Sequence, residues 1–218
     1  MRKTIQFRCT LLGSKPLIWR QFRVSDDYRM DRFHQVIQIA MGWTNSHLHE
    51  FIFENRRVGM LLGDELDMED LEDETKLYLK DFNLKEGQAF QYLYDFGDSW
   101  EHLIEVESII DKETEIPQCI NGAMSCPPED CGGIWRYQDL IKTIENSSHP
   151  DHAEMLEWVG DDFDSTIFAL NTVNAELNHF GDYHNAHPED MSTPWHQIDG
   201  SPEDISSMED FMRSMLEQ

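Results

Sequence analysis

The chain has 218 residues, with 43 acidic against 17 basic side chains and a net charge of −26. That length suits one domain with an appendage and a core that needs no disulfide staples. At 39% hydrophobic and 11% aromatic residues it is too rich in rings for a disordered chain, it has no apolar run long enough for a membrane span, and its charge makes it a poor general binder of nucleic acid, because phosphates would repel it.

The charge is uneven. Residues 1–45 hold eight bases and three acids, or +5, which leaves −31 for the rest. Residues 3–12 alternate, with Ile5, Phe7, Cys9 and Leu11 on one face and Gln6, Arg8 and Thr10 on the other, as a half-buried strand does. Gly13–Pro16 is a turn. A second strand follows over 17–24, where Ile18, Arg20, Phe22 and Val24 share one face and Trp19, Gln21 and Arg23 the other, an awkward placement for both Trp19 and Arg20. Asp31 opens a helix of about ten residues that Gly42 stops. Residues 48–58 read as a third strand, 62–74 as an acidic loop or short helix, and 75–82 as a fourth strand. Two more strands, 89–96 and 100–110, are joined by Gly97-Asp98 as a two-residue turn that sets Asp95 opposite Trp100. Residues 112–134 read as an ordered Pro/Cys/Gly loop, with helices at 135–146, 151–159 and 165–179.

This order predicts an α+β fold: a mixed, mostly antiparallel sheet with helices in the C-terminal third. Its hairpin–helix–strand start resembles a β-grasp arrangement. One domain is expected over 1–180. Residues 181–218 are expected to be a mobile acidic tail, since 182–218 hold nine acids and one base. Ile205, Met208, Phe211, Met212 and Met215 offer the alternative of a short helix over 203–217. Met1-Arg2-Lys3 leads into alternating residues and not an apolar block, so no signal peptide is expected. A reducing, cytoplasmic setting then implies free thiols at Cys9, Cys119, Cys126 and Cys131.

Three groups of residues could carry chemistry. The densest runs from Tyr94 to His102, where strand alternation points Trp100 and His102 inward. A carboxylate beside an imidazole, such as Asp95 or Asp98 with His102, can orient it for acid–base work or metal ligation. The plainer reading has Asp98 shaping the turn and the others as satisfied core groups. Upstream, His47 and His49 share a strand face, and His34 lies on the apolar side of the helix, where a buried, hydrogen-bonded histidine is the plainer reading. If His34, His47, His49, Asp95 and His102 converge, they would suit zinc or another divalent ion. The third group is Cys119 with Cys126–Gly133. Its cysteine spacing just misses that of a structural zinc site, and Glu129 and Asp130 are expected to cap the next helix or accept backbone donors. Asp95-Phe96-Gly97 lacks every companion of the kinase metal-binding triplet, and neither a nucleophile elbow nor a phosphate-cradling loop is present.

Taken in order, these segments are Pro16–Arg20, Phe33–Trp43, His47–Phe51, Tyr94–His102, Cys126–Gly133, Leu156-Glu157-Trp158 and Phe163-Asp164. The sequence resembles the root-inducing-plasmid (pRi) ORF-three-like family over about residues 3–178, a family that includes TnpR-like passenger proteins of insertion elements. Trp135-Arg136-Tyr137 departs from it, where a glycine is expected before the tyrosine. The resemblance implies a single α+β domain with a mobile-element association. It transfers no activity and no catalytic residues.

The leading expectation is a non-enzymatic binding or interaction module for a protein, peptide or small ligand. Its groove would be lined by Trp19, Arg20, His34, His47, His49, Tyr94, Asp95, Asp98, Trp100, His102, Glu129 and Asp130. The alternatives are a metal-dependent hydrolase, with phosphoesters as candidate substrates, using His34, His47, His49, Asp95, Asp98 and His102, and a DNA-associated transposon accessory protein. The last would make its contact at the basic N-terminal hairpin through Arg20 and Arg23.

Overall fold

The computed structural model describes residues 2–61, 70–112, 114–160 and 162–187. Strands β1 (Thr4–Leu11) and β2 (Trp19–Ser25) form the expected hairpin, with Phe7 opposite Phe22. Helix α1 (Met30–Met41) follows, buried along almost its whole length. Gly42 ends it in the left-handed conformation (φ 102°), returning its N–H to the Gln38 carbonyl at 2.8 Å.

The single strand expected over 48–58 is a second hairpin, β3 (His49–Phe53) and β4 (Arg56–Gly59), turned at Glu54 and Asn55. Residues 62–69 of the expected acidic loop lie outside the described residues. The remainder of that segment includes β5 (Leu71–Asp73), which pairs parallel to β4. The strand expected over 75–82 is instead two 3-10 turns, Glu74–Lys76 and Leu79–Phe82. The Asp73 carboxylate accepts the Thr75 N–H at 2.9 Å and Asp81 accepts that of Tyr78 at 2.9 Å, so side chains take backbone donors that a strand would need.

Strands β6 (Ala89–Tyr94) and β7 (Trp100–Ile110) occur as expected, but Tyr94, not Asp95, lies opposite Trp100. The connection is therefore the five-residue loop 95–99. The expected loop over 112–134 contains one more strand, β8 (Gln118–Ala123), beginning just after Pro117. Helices α2 (Gly133–Glu145), α3 (His152–Val159) and α4 (Leu170–Ala186) complete the described chain. Helix α4 starts later than expected, because Asp164 holds Thr166 in a turn. It runs on through Gly181, where a Cβ would meet Ile116 at 2.8 Å. That glycine permits close packing and does not stop the helix, so α4 crosses the boundary expected at 180. Residues 188–218, including the helix alternative over 203–217, lie outside the described residues.

The protein is thus α+β, with an eight-stranded sheet in the order β5-β4-β3-β6-β7-β1-β2-β8, antiparallel except at β4/β5. After the hairpin and α1, β3 joins β6 and not the hairpin itself. Phe7, Phe22, Phe33, Phe51 and Phe90 pack in one aromatic cluster between α1 and the sheet. At the β8 edge, the Asn174 side chain of α4 accepts the Cys119 N–H and donates to the Cys119 carbonyl, both at 2.9 Å.

Arg20 departs most from expectation. It is 1% exposed, with Nε donating to the Ala40 carbonyl (2.7 Å), Nη1 donating to those of Trp19 (2.9 Å) and Ala123 (3.0 Å), and the guanidinium 4.1 Å from the Phe168 ring centre. It is neither a groove residue nor a DNA contact. Trp19 lies on the other face of β2, under the Arg8 guanidinium at 3.9 Å, so it too stands apart from the expected groove.

Candidate functional site at a three-loop junction

Three loops meet at one end of the sheet: 43–48 after α1, 95–99 between β6 and β7, and 124–132 before α2. Each carries one of the motif segments. Trp43 Nε1 donates to the Pro127 carbonyl at 3.0 Å. Glu129 accepts from the Thr44 N–H (3.2 Å), from the Thr44 hydroxyl and from the Tyr94 hydroxyl (2.5 Å), and the Tyr94 oxygen accepts the Ser46 N–H at 3.1 Å. Glu129 therefore binds other loops and does not cap α2. Burial and the adjacent Glu129 carboxylate push the Tyr94 phenol above its ordinary pKa, so it stays a donor. Tyr94→Phe is expected to cost about 1–2 kcal/mol in urea denaturation and to loosen all three loops together.

Asp98 ties the second loop to the third by accepting the Gly132 N–H at 2.9 Å. The backbones then approach so closely that a Cβ on Gly133, at φ 79°, would lie 2.4 Å from the Asp98 carbonyl oxygen. Gly133→Ala should destabilise by about 2 kcal/mol, read as a lower urea midpoint at unchanged slope.

His47, Asp95 and Asp130 face one another inside this frame, with one potential ligand atom from each within 4.8 Å of the others. His47 Nε2 is 3.3 Å from Asp130 Oδ1 and 3.8 Å from Asp95 Oδ2, and it is a buried atom without a hydrogen-bond partner. Asp95 is 7% exposed and in the left-handed conformation (φ 56°), its Oδ1 accepting the Gly97 N–H at 2.8 Å, which leaves Oδ2 for His47. Asp130 also lines a cleft of about 430 Å³ between α2 and α3, walled by Cys131, Arg136, Leu140, Met155 and Trp158.

The five-residue metal set expected from the sequence does not converge. His34 and His49 stack face to face, ring centres 3.4 Å apart and 2° from parallel. His34 bonds the Tyr92 hydroxyl through Nδ1 (2.8 Å) and Asn45 Oδ1 through Nε2 (2.6 Å), while His49 Nε2 bonds Glu74 at 2.6 Å. Asn45 Oδ1 can only accept, so His34 carries its proton on Nε2 and accepts from Tyr92. Burial holds His34 and His49 down at about 3 and His102 at about 4, and pushes Glu74 up to about 7. His102 packs edge-on to Trp43, at 5.3 Å between ring centres, and Trp100 is 1% exposed. His34, His49, Trp100 and His102 are therefore core groups. The buried polar network of Gln38, Asn45, Glu74 and Tyr92 was not anticipated. Its one sequence signal is the polar pair His34 and Gln38, one helical turn apart on a buried helix. Among the described residues no cysteine joins a potential metal cluster, and all four thiols are free.

The eight-stranded α+β scaffold brings three separated motif loops to one junction. The chain matches the family described as "Plasmid pRiA4b ORF-3-like protein" over residues 3–172, and it belongs to that family. It is 39% identical over 177 residues to the uncharacterized protein y4hQ of Sinorhizobium fredii, a match covering 80% of this chain and 90% of that one. The crystal structure of a protein of unknown function, MM3350 from Methanosarcina mazei Go1, is similar at a TM-score of 0.72 and 32% identity, covering 78% of this chain and 97% of the other. No helix among the described residues is long and apolar enough to cross a membrane.

Proposed function

We propose that the protein is a non-enzymatic binding module whose ligand site is the three-loop junction, with the α2–α3 cleft as its open side. One observation carries this reading: Glu129 holds Thr44 and Tyr94 while Asp98 holds Gly132, so hydrogen bonds fix three separated segments around His47, Asp95 and Asp130. Such preorganisation lowers the entropic cost of binding. The cleft offers the apolar surface of Leu140, Met155 and Trp158 beside the polar groups of Arg136 and Asp130, which fits a small ligand with an apolar body and a polar end. A cytoplasmic, mobile-element-linked role agrees with the four free thiols and the family.

Full-length labelled protein titrated with small aromatic carboxylates and amines is expected to show amide shifts at Thr44–His47, Asp95–Asp98, Glu129–Gly133 and the cleft. Shifts confined to other surfaces would overturn the assignment. A second reading, phosphoester hydrolysis, is favoured by the imidazole and two carboxylates beside an open cleft. Turnover of a nitrophenyl phosphate that disappears in Asp95→Asn would replace the first reading with the second.

A further inference from the structure

We propose that His47, Asp95 and Asp130 form a divalent metal site with one nitrogen and two carboxylate donors. The inference deepens the reading of the junction as a binding site by naming an ion as its first ligand. Metal–ligand distances of about 2.0–2.2 Å put neighbouring donors of a tetrahedral site about 3.4 Å apart. The observed 3.3 Å and 3.8 Å from His47 Nε2 to the two carboxylates lie on either side of that spacing. A hydrogen-bonded imidazole–carboxylate pair would be closer, as His49 and Glu74 show at 2.6 Å.

A second observation points the same way. His47 Nε2 is buried and has no hydrogen-bond partner, although two carboxylates face it. A buried nitrogen left unpaired is destabilising, and a coordinated cation removes that cost. Each ligand is also held by its own segment. Asp95 Oδ1 is occupied by Gly97, which orients Oδ2. Asp130 sits between Glu129, anchored to Tyr94, and Gly132, anchored to Asp98.

Mixed imidazole and carboxylate donors suit zinc, manganese or ferrous iron better than calcium, which takes oxygen alone, or copper(I), which takes sulfur. A net charge of −26 raises the local concentration of any such cation. Three protein donors leave at least one coordination position free, as in a ligand-binding centre and unlike a closed structural one.

The test is calorimetry on the full chain, stripped with EDTA and titrated with zinc or manganese, with cobalt absorption as a second readout. One equivalent should bind, and His47→Ala and Asp130→Asn should each weaken it by at least about tenfold. Glu157→Gln, exposed on α3 and outside the cleft lining, should leave it unchanged. Asp130 is 75% exposed at its side chain, so its variant folds even if that of His47 does not. No stoichiometric uptake, or full uptake in the Asp130 variant, overturns the site; the latter puts the ion elsewhere, for example at the histidines of α4. If no metal binds and the small-ligand shifts at the junction are still seen, the metal inference alone fails. If metal binds and no small ligand does, the broader reading fails instead.

Discussion

Arg20→Ala is expected to destabilise the protein by about 3–5 kcal/mol, from charge-assisted hydrogen bonds lost and a cavity left in the core. The guanidinium serves carbonyls from three elements at once: Ala40 in α1, Trp19 in β2 and Ala123 in β8. Removing it strands those acceptors in the core and opens a void beside Phe168. Burial lowers the Arg20 pKa from its usual value, yet a guanidinium starts so high that it remains charged. Arg20→Lys should recover only part of the loss, because a point ammonium cannot reproduce the fork. Stabilities of 5–15 kcal/mol are typical of domains, so the alanine variant should show a much lower urea midpoint at an unchanged slope. A loss below about 1 kcal/mol, the worth of a single ordinary hydrogen bond, would refute the structural role of this residue.

Stability should also fall steeply as pH drops from 6.5 towards 4. His34, His49 and His102 have folded pKa values of about 3, 3 and 4, against 6.5 when free. The folded state holds them neutral while the unfolded chain takes up protons, so their contribution is full above pH 6.5 and is lost on acidification. At about 1.4 kcal/mol per unit, His102 alone loses about 3 kcal/mol by pH 4. Glu74 works the other way: its folded pKa of about 7 exceeds the free value of 4.5, so its contribution is present below 4.5 and lost as pH rises through 7. Three imidazoles outweigh one carboxyl, and the net slope is acid-labile. Urea midpoints measured between pH 7.5 and 4.5 should fall accordingly, and His102→Leu should flatten the curve by about half, since the three rings less the opposing Glu74 leave a net difference of about two protons and the variant removes one of them. At neutral pH the variant should lose only about 1 kcal/mol, the worth of the Nδ1 bond to the Tyr92 carbonyl at 3.3 Å, since Nε2 has no hydrogen-bond partner. A slope that is flat in the parent, or unchanged in the variant, would refute the assignment.

Strand alternation made β1, β2, β6 and β7 legible, because each buries one face and exposes the other. The β3/β4 hairpin was hidden because Glu54 and Asn55 make its turn without a glycine. Strand β8 was hidden within a Pro/Cys/Gly-rich stretch, where six residues give too little pattern to count. All three junction loops are visible as motifs in the sequence, and the fold brings His47 and Asp95 of the expected five-residue set together. The destination of each imidazole was not visible. Alternation puts His47 and His49 on one face only if the strand already runs at residue 47. Strand β3 begins at His49, so the loop turns His47 outward to Asp130 while His49 goes inward to His34. Arg20 was misplaced because its partners are carbonyls, which any sequence supplies and none advertises.

Asn174 has a consequence for assembly. A terminal strand normally offers its outward N–H and C=O to any extended chain that drifts past, the opening step of runaway strand addition. At Cys119 both groups are already engaged by one side chain that imitates a neighbouring strand. Asn174→Ala would expose that template, so its predicted signature is a faster rise of light scattering on storage, out of proportion to any fall in melting temperature. A single amide on α4 thus stands in for the next strand at this edge.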